Sequence, residues 1–213
     1  LSLVGSEMCI RDRGKELQVE NMSFDYLLTS LAKGDFDIVM AAIEVTPERL
    51  QSADFSDPYY TDLPAMILVK ADAADQYNTL ADFAGKSVGA QTATTKEAIV
   101  TDQMEGANLV SLSLVTDLVN ELVYGKVDAI VVDGAVAEQY AEANPDLAIC
   151  TWEFDVKAEY SANVIMMQKG ETELLDAVNA ILAQAKEANL YDGWYKDAVE
   201  LGKSENAQEL TLG

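Results

Sequence analysis

Two charged residues follow the two apolar runs that most clearly predict buried strands, and both side chains can hold a small ligand. Arg49 offers a planar guanidinium, which donates two parallel hydrogen bonds to a planar anion in a way that lysine cannot. Asp133 ends the run 128–133, where a carboxylate costs free energy unless a cation or hydrogen-bond donors meet it. Two ordinary alternatives stand beside these roles. Arg49 can pair with Glu48 in solvent, and Asp133 can cap the helix that follows.

Two threonines and a glutamate extend this set. Thr94 and Thr95 precede a predicted helix that begins near Lys96, so their backbone N–H groups and the helix dipole favour an anion, unless they simply cap the helix. Glu44 follows the first strand and adds a negative group, unless it turns to solvent or pairs with a nearby cation. Ligands of α/β sheets collect beyond the carboxyl ends of the strands, so we expect these residues near one another.

The composition excludes several classes of function. The 213-residue chain contains no histidine, which excludes imidazole bases and imidazole metal ligands. Its two cysteines cannot form a four-thiolate site, and no metal or cofactor is expected. The 37 acidic residues against 14 basic ones give a net charge of -23, which opposes nucleic-acid binding and favours the approach of cations.

The elements that position these residues form a repeated helix–strand unit. In the first copy a helical pattern stops at Gly34 and a strand covers 37–41, and in the second a helical pattern stops at Gly125 and a strand covers 128–133. The two copies align as GDFDIVMA and GKVDAIVV. They predict two similar α/β lobes, although two unrelated units of this kind would give the same pattern.

Several motifs occur in an order that resembles one protein family. The run TPERLQSADFSDPYY, which contains Arg49, strongly resembles the polar amino-acid-binding proteins of ABC importers, the extracellular solute-binding protein family 3. The runs SFDYLLTSLAKGDFDIV, GKSVGAQTATTKE, GKVDAIVVD and LYDGWYKDA fit in the same order, so the resemblance extends from about Gly14 to about Leu201. It implies a two-lobed α/β fold of the class II periplasmic-binding-protein type, in which each lobe is a mixed sheet flanked by helices.

The resemblance assigns roles to the charged residues. In the family an arginine and a threonine bind the α-carboxylate of an amino acid, which implies this role for Arg49 and Thr95, with Thr94 beside them. Asp133 matches the residue that binds the α-ammonium group. The remaining expected pocket positions are Phe24, Ala42, Glu44 and Gln91. Phe24 would form an aromatic wall, although as a core residue it would show the same pattern. Glu44 replaces the serine or threonine common at its position, which favours a cationic ligand.

The resemblance also divides the chain into lobes. Lobe 1 is expected at 14–68 and 162–213, and lobe 2 at 69–161. Two hinge strands, one near Val69 and one near Tyr160, would bend as the lobes close.

The amino-terminal part of the chain departs from the family pattern. The first strand and helix of lobe 1 have no counterpart, and residues 1–13 read LSLVGSEMCIRDR, which resembles a translated sequencing adapter. A non-native segment is therefore expected there, with an ordinary disordered terminus as the alternative. No export signal is expected within this sequence.

The function implied by the resemblance is capture rather than catalysis. The protein is expected to act outside the cytoplasm, in the periplasm or lipid-anchored at the cell surface, as a monomer that binds a polar and cationic L-amino acid. It would deliver this amino acid to the permease of an ABC transporter. Two alternatives remain, a dehydratase-type enzyme on the same fold, with Glu44 and Asp133 as acid and base, and the ligand-sensing domain of a receptor.

Overall fold

Two β-sheets with flanking helices organise the chain. The computed structural model describes residues 18–156 and 161–202, so residues 1–13 and Tyr160 lie outside the described residues. The strands in these ranges are β1 (Ile38–Glu44), β2 (Ala53–Phe55), β3 (Tyr60–Thr61), β4 (Met66–Lys70), β5 (Ser87–Gln91), β6 (Asn108–Leu112), β7 (Ala129–Val132), β8 (Leu147–Cys150) and β9 (Ala162–Gln168). The α-helices are α1 (Leu27–Lys33), α2 (Thr95–Gln103), α3 (Val115–Val123), α4 (Gly134–Ala143), α5 (Thr172–Glu187) and α6 (Leu190–Gly202). No helix in the described ranges has both the length and the apolar character needed to cross a membrane.

The first sheet is built around β9. This strand pairs antiparallel with β1, β2 and β3. Its central residues 164–167 are all buried, which explains why they form an uninterrupted apolar run rather than an alternating one. Helix α1 covers one face, where Leu31 packs with Val39, Ile43 and Met166 in one core cluster.

Strand β1 carries an irregularity just before its end. Its register with β9 shifts between Val39 and Ile43, and Ala42 adopts a φ of 50°. Residues other than glycine seldom adopt this left-handed conformation, because the Cβ atom approaches the following carbonyl oxygen. Such strain clusters at ligand-binding positions, and Glu44 ends the strand two residues later.

The second sheet has the strand order β6-β5-β7-β4-β8. Strand β5 is parallel to β6 and β7, whereas β4 is antiparallel to β7 and β8. Each face carries its own core cluster, one with Phe83 and Ile99 and the other with Leu118 and Leu122. The sheet is therefore mixed and covered on both faces, as predicted for this lobe.

The predicted repeat is confirmed as two helix–glycine–strand units. Helix α1 ends at Gly34 with a φ of 83°, and β1 follows. Helix α3 is followed at the corresponding position by Gly125, which has a φ of 70°, and then by β7. The two units lie in different sheets, which agrees with the two-lobed fold class.

The passage from the first sheet to the second occurs earlier than expected. Strand β4, which contains Val69, pairs with β7 and β8 of the second sheet. The chain therefore leaves the first sheet after β3 and enters the second at Met66, so Val69 lies inside a strand of the second sheet rather than at the passage between the sheets. After β8 it returns to the first sheet in β9, and α5 and α6 follow. Tyr191 of α6 stacks on Tyr60 of β3 with ring centroids 4.9 Å apart.

Candidate functional site

Charged residues from both sheets meet around the amino group of Lys96. Glu44 ends β1 of the first sheet, and its Oε2 lies 3.1 Å from Lys96 Nζ. Asp133 follows β7 of the second sheet, and its Oδ1 forms an ion pair with the same amino group. Lys96 itself is the second residue of α2. The ends of β1 and β7 and the start of α2 thus bring three charges to one place, as expected from the positions of these strand ends.

Arg49 approaches this cluster from the short 3-10 helix Arg49–Gln51 that follows β1. Its Nη1 donates a 2.7 Å hydrogen bond to the carbonyl oxygen of Glu44, and its Nη2 donates a 2.8 Å bond to the carbonyl oxygen of Ala93. These bonds fix the guanidinium and connect the two sheets. They use two of its five N–H donors, so the other donors can meet an anion.

The environment of Arg49 is partly apolar. Its Cζ lies 5.7 Å from the centroid of the Phe24 ring, within the range of a cation–π contact. Burial lowers the pKa of Arg49, while the negative charges of Glu44 and Glu48 act to raise it. Arg49 is half-buried, and a guanidinium withdrawn from water in this way favours an anionic partner. Phe24 also packs partly against the core of the first sheet, as the core alternative for this residue predicts, and its role as an aromatic wall for a ligand stays a prediction.

The threonines at the start of α2 differ in their contacts. The hydroxyl of Thr95 donates a short hydrogen bond to Oε2 of Glu44 across the two sheets. Thr94 occupies the N-cap position without a side-chain capping bond, and its hydroxyl donates to the Gln91 carbonyl oxygen at 2.6 Å. Simple side-chain N-capping is therefore not the role of Thr94. Thr95 lies at the charge cluster, while Thr94 fixes the preceding turn.

Two other predicted positions lie at the border of the site. The Gln91 side chain donates a 2.9 Å bond to the carbonyl oxygen of Ser113, so it holds the loop after β6. Ala42 lies at the irregular part of β1 and is exposed. Gln91 and Ala42 therefore lie where the backbone next to the cluster changes direction. Contact of either residue with a ligand stays a prediction.

Asp133 does not act as a side-chain cap. It occupies the N-cap position of α4, yet its side chain makes no capping bond, and only its carbonyl oxygen accepts the Ala137 N–H at 2.9 Å. The carboxylate instead pairs with Lys96. Its side chain remains 36% exposed, so a ligand can reach it.

Asp62, which sequence reasoning missed, lies near this cluster. Its carboxylate accepts the backbone N–H of Leu63 at 2.6 Å. Burial raises the pKa of Asp62, and the negative charge of Asp133 raises it further, while the positive charge of Lys96 lowers it. Asp62 lies between the two sheets, in the passage after β3, so no strand-end pattern indicated it.

Lys96 is the second residue that sequence reasoning missed. A lysine in the first turn of a helix ordinarily lies in solvent, yet Lys96 is only 6% exposed. Burial disfavours its charged form, but the negative charges of Asp133 and Glu44 outweigh that effect and raise the pKa of Lys96. The signal in the sequence was the pair of carboxylates expected near one helix start, since two adjacent carboxylates require a cation.

Comparison with known proteins identifies the family. The profile of the bacterial extracellular solute-binding proteins, family 3, matches residues 6–198. The chain belongs to this family. The match begins inside the segment 1–13, and the adapter-like reading of that segment stays a prediction.

Individual relatives of this family 3 solute-binding protein carry more specific names. It is 29% identical over 190 residues to "ABC transporter arginine-binding protein 1" of Escherichia coli (strain K12), covering 85% of this chain and 76% of the relative. It is 34% identical over 176 residues to "Arginine-binding extracellular protein ArtP" of Bacillus subtilis (strain 168), covering 82% and 67%.

A solved structure agrees with this fold. The amino acid ABC transporter substrate-binding protein AbpA of Streptococcus pneumoniae, bound to L-arginine, superposes with a TM-score of 0.87 and 32% identity. The alignment covers 95% of this chain and 84% of AbpA. The two-lobed arrangement of the family 3 solute-binding proteins is thus the arrangement of this chain.

Proposed function

We propose that this protein binds a cationic L-amino acid between its two lobes, outside the cytoplasm, and presents it to the permease of an ABC importer. The observation that best supports this proposal is that side chains of opposite charge from both lobes lie close together at one site. Arg49 and Glu44 belong to the first sheet, and Asp133 and Lys96 to the second. The arginine-binding relatives support the same class of ligand.

Arg49 and Thr95 form the proposed carboxylate grip. The guanidinium is oriented by two backbone carbonyl oxygens, so its remaining donors are already aimed before a ligand arrives. Thr95 adds the backbone N–H of the first helical residue of α2, where the helix dipole favours a negative charge. A planar α-carboxylate complements both groups.

Asp133 forms the proposed ammonium grip. It is partly exposed and lies on the lobe opposite to Arg49. An α-amino acid bound between the two would therefore connect the lobes through its own charges. Such a ligand stabilises the conformation in which the grips are close, and a permease can recognise that conformation.

The charges of the site support a ligand whose own net charge is positive. The carboxylates that act on this site, those of Glu44, Glu48, Asp62 and Asp133, outnumber its two cations, those of Arg49 and Lys96. The site therefore has a surplus of negative charge. L-arginine and L-lysine carry a positive side chain in addition to the zwitterion, whereas L-glutamine does not.

The same contacts favour binding over catalysis. In the dehydratase alternative, Glu44 and Asp133 would serve as general acid and base. Both carboxylates are held in ion pairs with the amino group of Lys96, an arrangement that fixes charges in place and suits binding. We therefore infer a binding protein rather than an enzyme.

The Arg49→Ala variant tests the proposed function. For the wild type, L-arginine at about 100 times its Kd should stabilise the fold by about 2.7 kcal/mol and raise Tm by several degrees. Arg49→Ala should remove this shift, because the carboxylate loses its bidentate donor. Glu44→Ser should retain a shift and change the ranking of amino acids. Differential scanning fluorimetry with a panel of amino acids measures all three.

Lys126→Ala is the matched control for this experiment. Lys126 is a 63% exposed cation of the second lobe and pairs with Glu121 at 2.7 Å. Its replacement should leave the ligand-induced shift intact. A full shift in Arg49→Ala, or no shift with any amino acid in the wild type, would contradict the proposed function.

A further inference from the structure

The amino group of Lys96 lies where the proposed site would receive the ammonium group of its ligand. Its Nζ contacts Oδ1 of Asp133 and lies 3.1 Å from Oε2 of Glu44. The side chain is only 7% exposed. Asp133 is also the proposed partner of the α-ammonium group, so Lys96 and the ligand would both bind the same carboxylate.

We propose that Lys96 competes with the α-ammonium group of the ligand for Asp133, so that binding exchanges one ion pair for another. This inference rests on the proposed function of the site. Lys96 then sets how strongly the protein selects ligands that carry an α-ammonium group.

The geometry permits the exchange without leaving the buried amino group of Lys96 unpaired. When the ligand takes Asp133, the amino group of Lys96 keeps Glu44, which lies on the other lobe. The four-carbon stem of lysine allows such a movement, and its three donors can be shared among neighbouring acceptors. Asp133 is the more exposed of the two carboxylates, with 36% exposure against 15% for Glu44, so it is the one that a ligand reaches first.

A ligand without an ammonium group gives the contrasting case. It leaves the Lys96–Asp133 pair in place and therefore loses little from lacking that group. If Lys96 is replaced by a neutral residue, Asp133 has only the ligand to neutralise it. An uncompensated carboxylate in a partly buried site is strongly unfavourable. Loss of Lys96 should then make the protein discriminate more sharply in favour of the ammonium group.

The test compares L-arginine with 5-guanidinopentanoic acid, which is arginine without its α-ammonium group. Isothermal titration calorimetry gives Kd for both ligands with the wild type and with Lys96→Met, at one pH and one ionic strength. We expect the ratio of the two Kd values, des-amino ligand over L-arginine, to rise about tenfold or more in Lys96→Met, in line with the coupling of close charge pairs. The ratio cancels any general weakening of the pocket.

Two further variants complete the comparison. Lys126→Met makes the same substitution at the exposed lysine that pairs with Glu121, and it should leave the ratio unchanged. Lys96→Gln removes the charge and keeps a polar group, and it should raise the ratio as Lys96→Met does. Either charge-removing variant suffices if the other does not fold.

A measurement on the wild type is independent of both variants. The side-chain amino group of Lys96 can be followed by 15N NMR, with its signal identified by its loss in Lys96→Arg. Adding L-arginine should shift this signal, whereas saturating 5-guanidinopentanoic acid should leave it close to its starting position. Equal shifts with the two ligands would contradict the exchange.

The outcomes separate this inference from the proposed function. An unchanged or lower Kd ratio in the charge-removing variants would overturn the competition, even if L-arginine binds tightly. If the wild type binds neither L-arginine nor any other amino acid, the proposed function fails, and the competition fails with it.

Discussion

At the residue scale, hydrogen bonds to backbone carbonyl oxygens fix the position of a charged side chain of the site. The guanidinium of Arg49 is fixed by the carbonyl oxygens of Glu44 and Ala93. Ala93 has a φ of 64° and Ala42 a φ of 50°, so the backbone on both sides of the site adopts a conformation that costs an alanine about 1 kcal/mol or more. Strain of this kind is retained where it positions functional groups.

Asp62 provides a prediction about pH. Its pKa in the folded protein is raised above the ordinary value of 3.8, so its contribution to stability is complete at low pH and is lost as the pH rises through the folded pKa. The neutral variant Asp62→Asn should therefore have a Tm a few degrees higher than the wild type at neutral pH. This difference should shrink as the pH falls towards 3.8. Circular dichroism melts over a pH series measure it.

Asp176 provides the matched control for Asp62. It lies exposed on α5, and Asp176→Asn should change Tm by little at any pH in the series, as is usual for exposed positions. If the gain in Asp62→Asn were absent, or did not vary with pH, burial of the Asp62 carboxylate would not be the cause of its raised pKa.

Only some of the residues of this site were predicted from the sequence. Arg49 and Asp133 could be predicted because a motif and a strand-end position indicate them. Lys96 and Asp62 were not predicted, because the burial of a charged side chain depends on partners from another element, and for Lys96 the only signal was the pair of carboxylates expected near its helix start. Glu44 was predicted as a further negative group, and the nearby cation considered for it is Lys96.

At the element scale, the start of α4 determines where Asp133 lies. Gly134 is buried at the start of this helix. A Cβ atom there would lie 2.5 Å from the Cβ of Leu63 and 2.5 Å from the carbonyl oxygen of Pro64. The helix therefore contacts the passage between the two sheets directly, and only glycine fits at that contact.

Gly134→Ala tests this contact. The new methyl group must displace backbone, so we expect a loss of about 2 kcal/mol in the free energy of unfolding, the usual cost of overpacking. It should also weaken amino-acid binding, since Asp133 is the preceding residue. Urea unfolding and calorimetric titration measure the two effects.

Gly193→Ala is the same change within α6, where an added Cβ meets nothing within 4 Å. It should raise the free energy of unfolding by up to about 1 kcal/mol, because alanine is the better helix former. Similar changes in the free energy of unfolding for the two substitutions would contradict the close contact of Gly134 with Leu63 and Pro64.

The elements themselves could largely be predicted from the sequence. Gly34 and Gly125 end helices as expected, and β1 and β7 overlap the strands predicted at 37–41 and 128–133. The sheet to which β4 belongs could not be predicted, because an apolar run such as Met66–Lys70 fits any buried strand. Its partners β7 and β8 are far along the chain.

At the scale of the whole molecule, the two lobes contact each other through the site itself. Arg49 reaches Ala93, and Glu44 reaches both Thr95 and Lys96. Each of these contacts joins the first sheet to the start of α2. The net charge of -23 favours cationic ligands on approach.

A crystal structure of the protein with L-arginine would show whether the amino acid lies between the two lobes and which side chains bind its charged groups. We predict that the α-carboxylate lies within hydrogen-bonding distance of the Arg49 guanidinium and the Thr95 backbone N–H. The α-ammonium group should contact Asp133, with the amino group of Lys96 moved towards Glu44. An L-arginine molecule bound away from Arg49 and Asp133, or bound with its ammonium group towards Arg49, would contradict this account.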